Sequence, residues 1–289
     1  MTQHWLANRI ANYWQLMRGD RPIGTLLLVW PALMALYIAN QGSPTPQLIV
    51  IFLVGAFLVR SAGCIVNDIA DRYVDRHVQR TRKRPLTVGH VSIPEAILLT
   101  VILLVIALEL VLQLNIIAVY IAILAAVMMA IYPFTKRWTY LPQVWLALTF
   151  NLSIILAFAA SGTLMSITWV LMYIAFACFT VAYDTIYGMV DREDDMKIGI
   201  KSLAILCGSY DWIVVNLLEI IGFAILLAVG WWCDLNAWYF GGIAAAFLVM
   251  LYHACLTKTR QRDLCFRAFL SHNWLLFYIF LGTYLSYLA

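Results

Sequence analysis

Polar and acidic residues recur at helical spacing in two stretches of this 289-residue chain. The first stretch contains Asn67, Asp71 and Asp75, and the second contains Asp191 and Asp195. Side chains four positions apart share one face of a helix, where carboxylates about 6 Å apart along the axis repel each other unless a cation lies between them. Mg²⁺ usually binds one or two carboxylates together with phosphate oxygens of a substrate. The two stripes therefore predict Mg²⁺ binding beside a phosphorylated substrate.

Basic residues follow both stripes and favour a diphosphate as the phosphorylated group. Guanidinium groups bind phosphate through two parallel hydrogen bonds. The chain has no glycine-rich phosphate loop, so a nucleoside triphosphate is not indicated. Membrane topology and attraction to anionic lipid are a second explanation for part of this charge. Arg80, Arg82, Lys83 and Arg84 follow the first stripe, and Lys197 and Lys201 follow the second. Lys136 and Arg137 end the fourth span on the same side of the membrane.

Other familiar site chemistries find no support in the sequence. The chain contains no HExxH motif, no GxSxG motif and no pairing of cysteine with histidine. Its six cysteines form no CxxC pair, so neither a disulfide framework nor a zinc site is expected. The five histidines are spread along the chain and predict no haem or metal site; they are His4, His77, His90, His253 and His272.

The composition indicates that the acidic stripes belong to a membrane protein. Hydrophobic residues make up 64% of the chain and charged residues 12%, and the mean hydropathy is +0.86. Soluble domains contain roughly 45–50% apolar and about 25% charged residues. The comparison excludes a soluble enzyme, a disordered chain and a disulfide-rich secreted module. A net charge of only +4 gives no indication of nucleic-acid binding.

Nine apolar runs approach the roughly 20 residues that a membrane-spanning helix needs. Because the runs are continuous rather than alternating, the predicted fold class is an all-α polytopic membrane protein. The stripes lie four spans apart, which predicts a weak internal duplication of a four-helix unit whose acids face one cavity. Residues 1–20 are expected to form an interfacial amphipathic segment of a single domain, 1–289. The runs lie near residues 23–40, 47–66, 95–112, 116–134, 143–160, 167–185, 212–232, 237–256 and 272–288.

Basic residues also predict the orientation of the spans. Of the 19 lysines and arginines, all but Arg60 precede the first span or fall in every second connection. The positive-inside rule then places the N-terminus in the cytoplasm and the C-terminus outside. Neither acidic stretch contains a proline or a turn signal, so the helices are expected to continue through the acids.

Four motifs together resemble the UbiA superfamily of intramembrane prenyltransferases. They are NDxxDxxxD at 67–75, RTxxRP at 80–85, YxxxK at 132–136 and DxxxD at 191–195, and the similarity extends over nearly the whole chain. The tracts at 21–25 and 183–202 resemble the members that prenylate 4-hydroxybenzoate in ubiquinone biosynthesis. The resemblance implies nine helices around a cavity that opens sideways to the lipid, Mg²⁺, a polyprenyl diphosphate, and the bacterial inner membrane with a periplasmic C-terminus.

The resemblance also implies roles for individual residues. Asp191 and Arg137 would be catalytic, with Asp191 orienting the phenol and Arg137 binding the benzoate carboxylate. A supporting layer around the site is expected from Asp68, Arg72, Asp184 and Lys201. Mg²⁺ would be held by Asn67, Asp71, Asp75, Asp191 and Asp195, and the diphosphate by Arg80, Arg84, Tyr132 and Lys136.

Three alternatives remain open at this stage. A prenyltransferase of the same superfamily with another aromatic acceptor would share the motif at 67–75. A CDP-alcohol phosphotransferase also uses membrane-embedded aspartates, but no aspartate here is followed by glycine as its signature requires. An ion-coupled transporter is expected to carry acids at mid-span. Glu109 and Glu219 are the only further acids well inside spans.

Overall fold

The computed structural model describes the backbone of residues 2–289 and the side chains of residues 8–289. Within that part the regular structure is helical, with 3₁₀ turns at Asp75–His77 and Gly208–Tyr210 and no strands. The helices are α1 (Thr2–Leu16), α2 (Ile23–Ala39), α3 (Pro46–Asp71), α4 (Ile93–Val111), α5 (Ile116–Trp138), α6 (Pro142–Phe150), α7 (Leu152–Ala160), α8 (Thr168–Ile198), α9 (Leu203–Cys207), α10 (Asp211–Trp232), α11 (Ala237–Lys258) and α12 (Arg262–Leu288).

The predicted spans correspond to these helices, and the all-α polytopic fold class is confirmed. Eight segments of the described chain are long and apolar enough to cross a membrane, and α2 is a shorter apolar helix of 17 residues. One span combines α6 and α7, which meet at Asn151. The Asn151 amide donates to Ala147 O and to Thr180 Oγ1, so this helix junction is fastened to α8. The predicted four-helix duplication stays a prediction.

The N-terminal helix packs against the start of the membrane bundle. Leu16 is fully buried in a cluster with Leu58 and Ile65 of α3, while Ile10 and Trp14 remain exposed. The amphipathic interfacial segment over residues 1–20 stays a prediction. Met1 lies outside the described residues, as do the side chains of residues 1–7, among them the apolar side chains Trp5 and Leu6 of the predicted segment.

Two regions of the bundle differ in how much lipid they face. The main apolar core lies between α2, α7, α8, α10, α11 and α12, where Phe158, Phe176 and Tyr239 are almost completely buried. In contrast, only 17% of the apolar windows of α4 and α5 is buried inside the protein. Their large apolar side chains are therefore available to lipid, and these two helices form an outer wall of the molecule.

Two glycines allow α11 and α12 to cross closely. A Cβ atom added to Gly242 would lie 2.5 Å from Tyr278 O and 2.7 Å from Gly282 Cα. Small residues at such crossings let helix backbones approach in membranes, where packing rather than the hydrophobic effect holds helices together. The crossing fixes the relative register of α11 and α12.

We expect Gly242→Ala to destabilise the protein by about 1–3 kcal/mol, because the new methyl group meets backbone atoms that cannot rotate away. The neighbouring Gly241 is the matched control, since a Cβ there has no atom within 4 Å. Gly241→Ala is expected to be neutral or slightly stabilising, because alanine loses less conformational freedom than glycine when it forms a helix. Thermal unfolding of the purified variants measures both effects, and equal midpoints for the two would contradict the close crossing.

Candidate active site

A cavity of about 1440 Å³ runs through the bundle, charged at one end and apolar along its remaining length. The charged side chains come mainly from the C-terminal ends of α3, α5 and α8 and from the loop that follows α3. Drug-sized ligands occupy pockets of roughly 300–1,000 Å³, so this cavity suits a longer apolar molecule with a charged end. Both acidic stripes line it through Asn67, Asp71, Asp75, Asp191 and Asp195.

Arginines neutralise the first acidic stretch. Arg84 Nη1 donates to Asp68 Oδ1 at 2.8 Å and to Asp75 Oδ2 at 2.7 Å. Arg18 Nη2 donates to both oxygens of Asp68, at 2.6 and 2.8 Å. Asp68 and Asp75 are buried, and removing one partner of a buried ion pair leaves an uncompensated charge at a cost of about 3–5 kcal/mol. This chain of contacts therefore fixes the position of the loop relative to α3.

Asp75 does not continue the helical stripe, and the expectation of one helix through Asn67, Asp71 and Asp75 is wrong. The helix α3 ends at Asp71, and Asp75 begins a 3₁₀ turn. A straight helix would carry Asp75 about 6 Å further along the axis, away from the arginine that it shares with Asp68. Instead the chain bends back, and the Thr81 hydroxyl donates to Asp75 O at 3.0 Å.

The end of α5 brings Lys136 and Tyr132 into the cavity wall but leaves Arg137 outside it. The Lys136 ammonium donates to Asp71 Oδ2. Arg137 is exposed, donates to Ala70 O at 2.9 Å and lies 3.7 Å from Asp71 Oδ1. The role of Arg137 with a carboxylate substrate stays a prediction.

The second acidic stretch lies on α8, which continues through it to Ile198 as expected. Arg80 donates to both oxygens of Asp191, at 3.2 and 2.6 Å, and its guanidinium lies 4.4 Å from the Tyr187 ring centroid. Burial alone lowers the pKa of Arg80, but Tyr187 and Asp191 outweigh burial and hold that pKa above its usual value. The loop after α3 is thereby linked to α8 by a permanently charged residue.

The predicted supporting residues divide into two groups. Asp68, Asp184 and Lys201 line the cavity, whereas Arg72 does not. Arg72 turns toward its neighbour and donates to the Tyr73 hydroxyl at 2.6 Å. The backbone N–H of Lys201 donates to Lys136 O at 3.1 Å, which joins the segment after α8 to the end of α5.

Three arginines of the cavity wall were not among the predicted site residues, namely Arg18, Arg21 and Arg60. Arg60 projects from the middle of α3; its Nη1 donates to Cys64 Sγ, and its buried Nε has no partner among the described side chains. Gly24 makes room for it, because a Cβ there would lie 2.4 Å from Arg60 Nε. Its position inside a span, against the pattern of all other basic residues, was the available signal.

The charges around the cavity nearly balance without a ligand. Eight basic and seven acidic residues line it: Arg18, Arg21, Arg60, Arg80, Lys83, Arg84, Lys136 and Lys201, and Asp20, Asp68, Asp71, Asp75, Asp184, Asp191 and Asp195. A cavity of this kind has little spare positive charge for an anionic ligand. A multiply charged anion therefore requires additional cations to enter with it.

The acidic groups fit a hard divalent cation. Asp71 Oδ1 is buried and accepts no hydrogen bond from the side chains and backbone that the structure describes. Burial raises the pKa of Asp75, as do the neighbouring carboxylates, although Arg84 opposes the rise. A cation beside these groups would favour their ionised form. Carboxylate and amide oxygens are the donor set that Mg²⁺ prefers.

The chain matches a known family over most of its length. Residues 28–285 match the UbiA prenyltransferase family. A protein of Coxiella burnetii (strain CbuK_Q154), named 4-hydroxybenzoate octaprenyltransferase, is 46% identical over 286 residues, which is 98% of each chain. A protein of the same name from Vibrio campbellii is 45% identical over 282 residues, or 97% of this chain and 99% of the relative.

Solved structures share the fold. The apo structure of a UbiA homolog from Aeropyrum pernix K1 gives a TM-score of 0.77 at 23% identity and covers 87% of this chain and 94% of that one. A UbiA homolog from Archaeoglobus fulgidus, bound to DMAPP and Mg²⁺, gives a TM-score of 0.71 at 16% identity, with coverage of 92% and 98%. At these identities the likeness concerns the arrangement of the helices.

Proposed function

This chain belongs to the UbiA prenyltransferase family, and from that premise we propose that it transfers a polyprenyl group from polyprenyl diphosphate to 4-hydroxybenzoate in ubiquinone biosynthesis. The observation that carries the proposal is the cavity. Its charged end contains both acidic stripes together with arginine and lysine side chains, and the rest of its wall is apolar. The charged end suits a diphosphate, and the apolar wall suits an isoprenoid chain. The names of the Coxiella and Vibrio relatives support the choice of acceptor.

The diphosphate would bind where cations are already positioned. Arg80, Arg84 and Lys136 are each held by an aspartate at the charged end of the cavity. Asn67 and the aspartates of the two stripes would hold Mg²⁺, which supplies the positive charge that the nearly balanced wall lacks. The basic side chains could then exchange part of their contact with the aspartates for the phosphate oxygens. Donors placed in advance stabilise developing charge without reorganisation.

The reaction breaks the bond between the first carbon of the prenyl group and the bridging phosphate oxygen. Arg80, Arg84 and Lys136 stabilise the negative charge that grows on the departing diphosphate. The allylic cation is attacked by the ring carbon ortho to the hydroxyl of 4-hydroxybenzoate. That ring carbon then loses its proton and the ring regains aromaticity. We assign the orientation of the phenol hydroxyl to Asp191, whose two oxygens accept hydrogen bonds from Arg80.

Arg60 is the stronger candidate for the carboxylate of the aromatic acid. It is an arginine inside the wall with an unpartnered Nε, whereas Arg137 is exposed and lies outside the wall. Guanidinium binds carboxylate through two parallel hydrogen bonds, and the bonds are stronger where water is excluded. Asp184 is the acidic residue that interacts electrostatically with Arg60, and a substrate carboxylate would share that cation.

The location of the protein follows from the same family. The relatives are bacterial, and the chain is a multi-pass membrane protein, so we place it in the bacterial inner membrane. Basic residues near the ends of α3, α5 and α8, among them Arg80, Lys136 and Lys201, lie at the charged end of the cavity. The positive-inside rule puts this end, and the N-terminus, in the cytoplasm and the C-terminus in the periplasm.

We expect purified protein in nanodiscs to convert geranyl diphosphate and 4-hydroxybenzoate into the 3-geranyl product in the presence of Mg²⁺, as detected by mass spectrometry, with no product in EDTA. Asp71→Asn and Asp191→Asn should each lower kcat by about 100-fold or more, because each removes one charge from the site. Glu193→Gln is the matched control, since Glu193 lies exposed on α8 outside the cavity wall.

Two outcomes of this assay would change the proposal. Product with homogentisate or a naphthoate but not with 4-hydroxybenzoate would keep prenyl transfer and replace the acceptor. No prenyl transfer to any aromatic acceptor, by protein that remains folded, would refute the proposed function.

Steady-state kinetics separates the two arginines. Arg60→Gln is expected to raise the KM for 4-hydroxybenzoate about tenfold or more and to leave the KM for the prenyl donor nearly unchanged, since one charge-assisted contact contributes about 1.5–3 kcal/mol. Arg137→Gln should leave both values close to wild type. The reverse pattern would assign the carboxylate to Arg137, and a rise in the donor KM would place Arg60 at the diphosphate.

Alkaline phosphatase fusions test the orientation, because this reporter needs disulfides and is active only outside the cytoplasm. We expect a fusion after Ala289 to be active and a fusion at Arg260, in the connection between α11 and α12, to be inactive. Activity at Arg260 with inactivity at Ala289 would invert the proposed topology.

A further inference from the structure

Three titratable side chains meet inside the bundle, away from the residues of the charged cavity. They are Glu219 of α10, His253 of α11 and His272 of α12, and none is more than 1% exposed. One ligand atom from each lies within 4.8 Å of the others. His272 Nδ1 is 3.5 Å from Glu219 Oε1, and the two imidazole rings stack with their centroids 5.3 Å apart. The prediction that the histidines are dispersed is wrong for His253 and His272, which meet here.

The cluster leaves an unusual number of buried polar atoms without partners. Both carboxylate oxygens of Glu219, both ring nitrogens of His272 and Nδ1 of His253 form no hydrogen bond within the described part of the chain. Buried polar groups are nearly always hydrogen-bonded, because an unsatisfied group has lost its contacts with water and gained none in return. These five atoms lie close enough together for one ligand to contact all three residues.

The hydrogen bonds around His253 determine which of its nitrogens can bind a ligand. The Ser271 hydroxyl donates to Arg267 O at 2.8 Å, as serines in helices commonly do with the preceding turn. In that orientation its oxygen accepts from His253 Nε2, which lies 2.8 Å away. Neutral His253 then carries its proton on Nε2 and an open lone pair on Nδ1, the tautomer that we assign to it. A hydrogen bond of this kind to the second ring nitrogen is the usual support of a metal-binding histidine.

We propose that Glu219, His253 and His272 bind one divalent transition-metal ion, with Zn²⁺ as the representative. Two imidazole nitrogens and a carboxylate are a donor set that Zn²⁺ accepts, with a fourth position left for water. Mg²⁺ prefers oxygen donors throughout, so this cluster would not compete for the cation of the acidic stripes. The ion would satisfy the lone pairs that the protein leaves unpaired.

The position of the cluster points to a structural role. It joins the last three membrane helices, and the close crossing at Gly242 and Gly282 sets the register that places His253 beside His272. Tyr183 lines the cavity and packs edge-on against the His272 ring, at a centroid distance of 5.3 Å, so it lies between cavity and cluster. The metal would therefore hold α10, α11 and α12 together without contacting the prenyl-transfer substrates.

The direct test is metal analysis of the full-length protein, purified without a histidine tag from zinc-supplemented cells and washed with EDTA before exchange into Mg²⁺ buffer. Because the cluster is buried, bound zinc should survive the wash, and inductively coupled plasma mass spectrometry should find about one zinc per chain. Asp71→Asn, which changes the acidic stripe, and His90→Gln, at an exposed histidine, should retain it. Glu219→Gln, His253→Gln and His272→Gln should each lose it.

A second measurement covers the case in which these variants fail to fold. Wild-type protein prepared with Co²⁺ in place of zinc should show the visible d–d absorption of a site with nitrogen donors and low coordination number. Ser271→Ala removes the acceptor for His253 Nε2, and should weaken zinc binding about 10–100-fold while the fold persists. Wild-type protein that binds neither zinc nor cobalt would overturn the proposal, and a proton shared within the cluster would then be the remaining explanation. Zinc retention by a folded His272→Gln variant would overturn it as well.

Discussion

The charged end of the cavity depends on the pairing of buried carboxylates with arginine and lysine side chains, because the protein interior solvates neither charge. Burial of an isolated charge costs several kcal/mol, so each aspartate near the end of α3 needs a fixed partner. Arg84 forms ion pairs with both Asp68 and Asp75, and Arg18 forms a second ion pair with Asp68. The loop after α3 must therefore fold back over the helix that it leaves.

The same pairing joins parts of the chain that are distant in sequence. Arg80 connects the loop after α3 to Asp191 on α8, and Lys136 connects α5 to Asp71 on α3. Arg262 at the start of α12 contacts Asp194. The side chains proposed to bind the diphosphate also form the ion pairs that join these helices. The aspartates therefore hold them in place. Binding then costs little side-chain ordering, which is the usual advantage of a preorganised site.

The features that could be predicted from the sequence are those set by residues close together along the chain. Apolar runs predicted the eight segments of the described chain that are long enough to span a membrane and the shorter apolar helix α2. A spacing of four residues predicted the shared face of Asp191 and Asp195 on α8. The spacing failed at Asp75, because a contact with Arg84, nine residues later, outweighs helix continuation there. Arg60 is an isolated basic residue in an apolar run, and only the packing of α2 against α3 places it in the cavity wall.

The cluster of Glu219, His253 and His272 could not be predicted from the sequence for the same reason. Glu219, His253 and His272 lie on three different helices, so no spacing along the chain relates them. Their meeting depends on the glycine crossing of α11 and α12 and on the packing of α10 beside them. The two groups of buried polar side chains differ in their donor atoms, which are mostly oxygen at the acidic stripes and mainly nitrogen at the cluster. On the two proposals made above, that difference is what would assign a separate cation to each. Ligand hardness can then direct Mg²⁺ to the stripes and a transition metal to the cluster, even though both sites belong to one helix bundle.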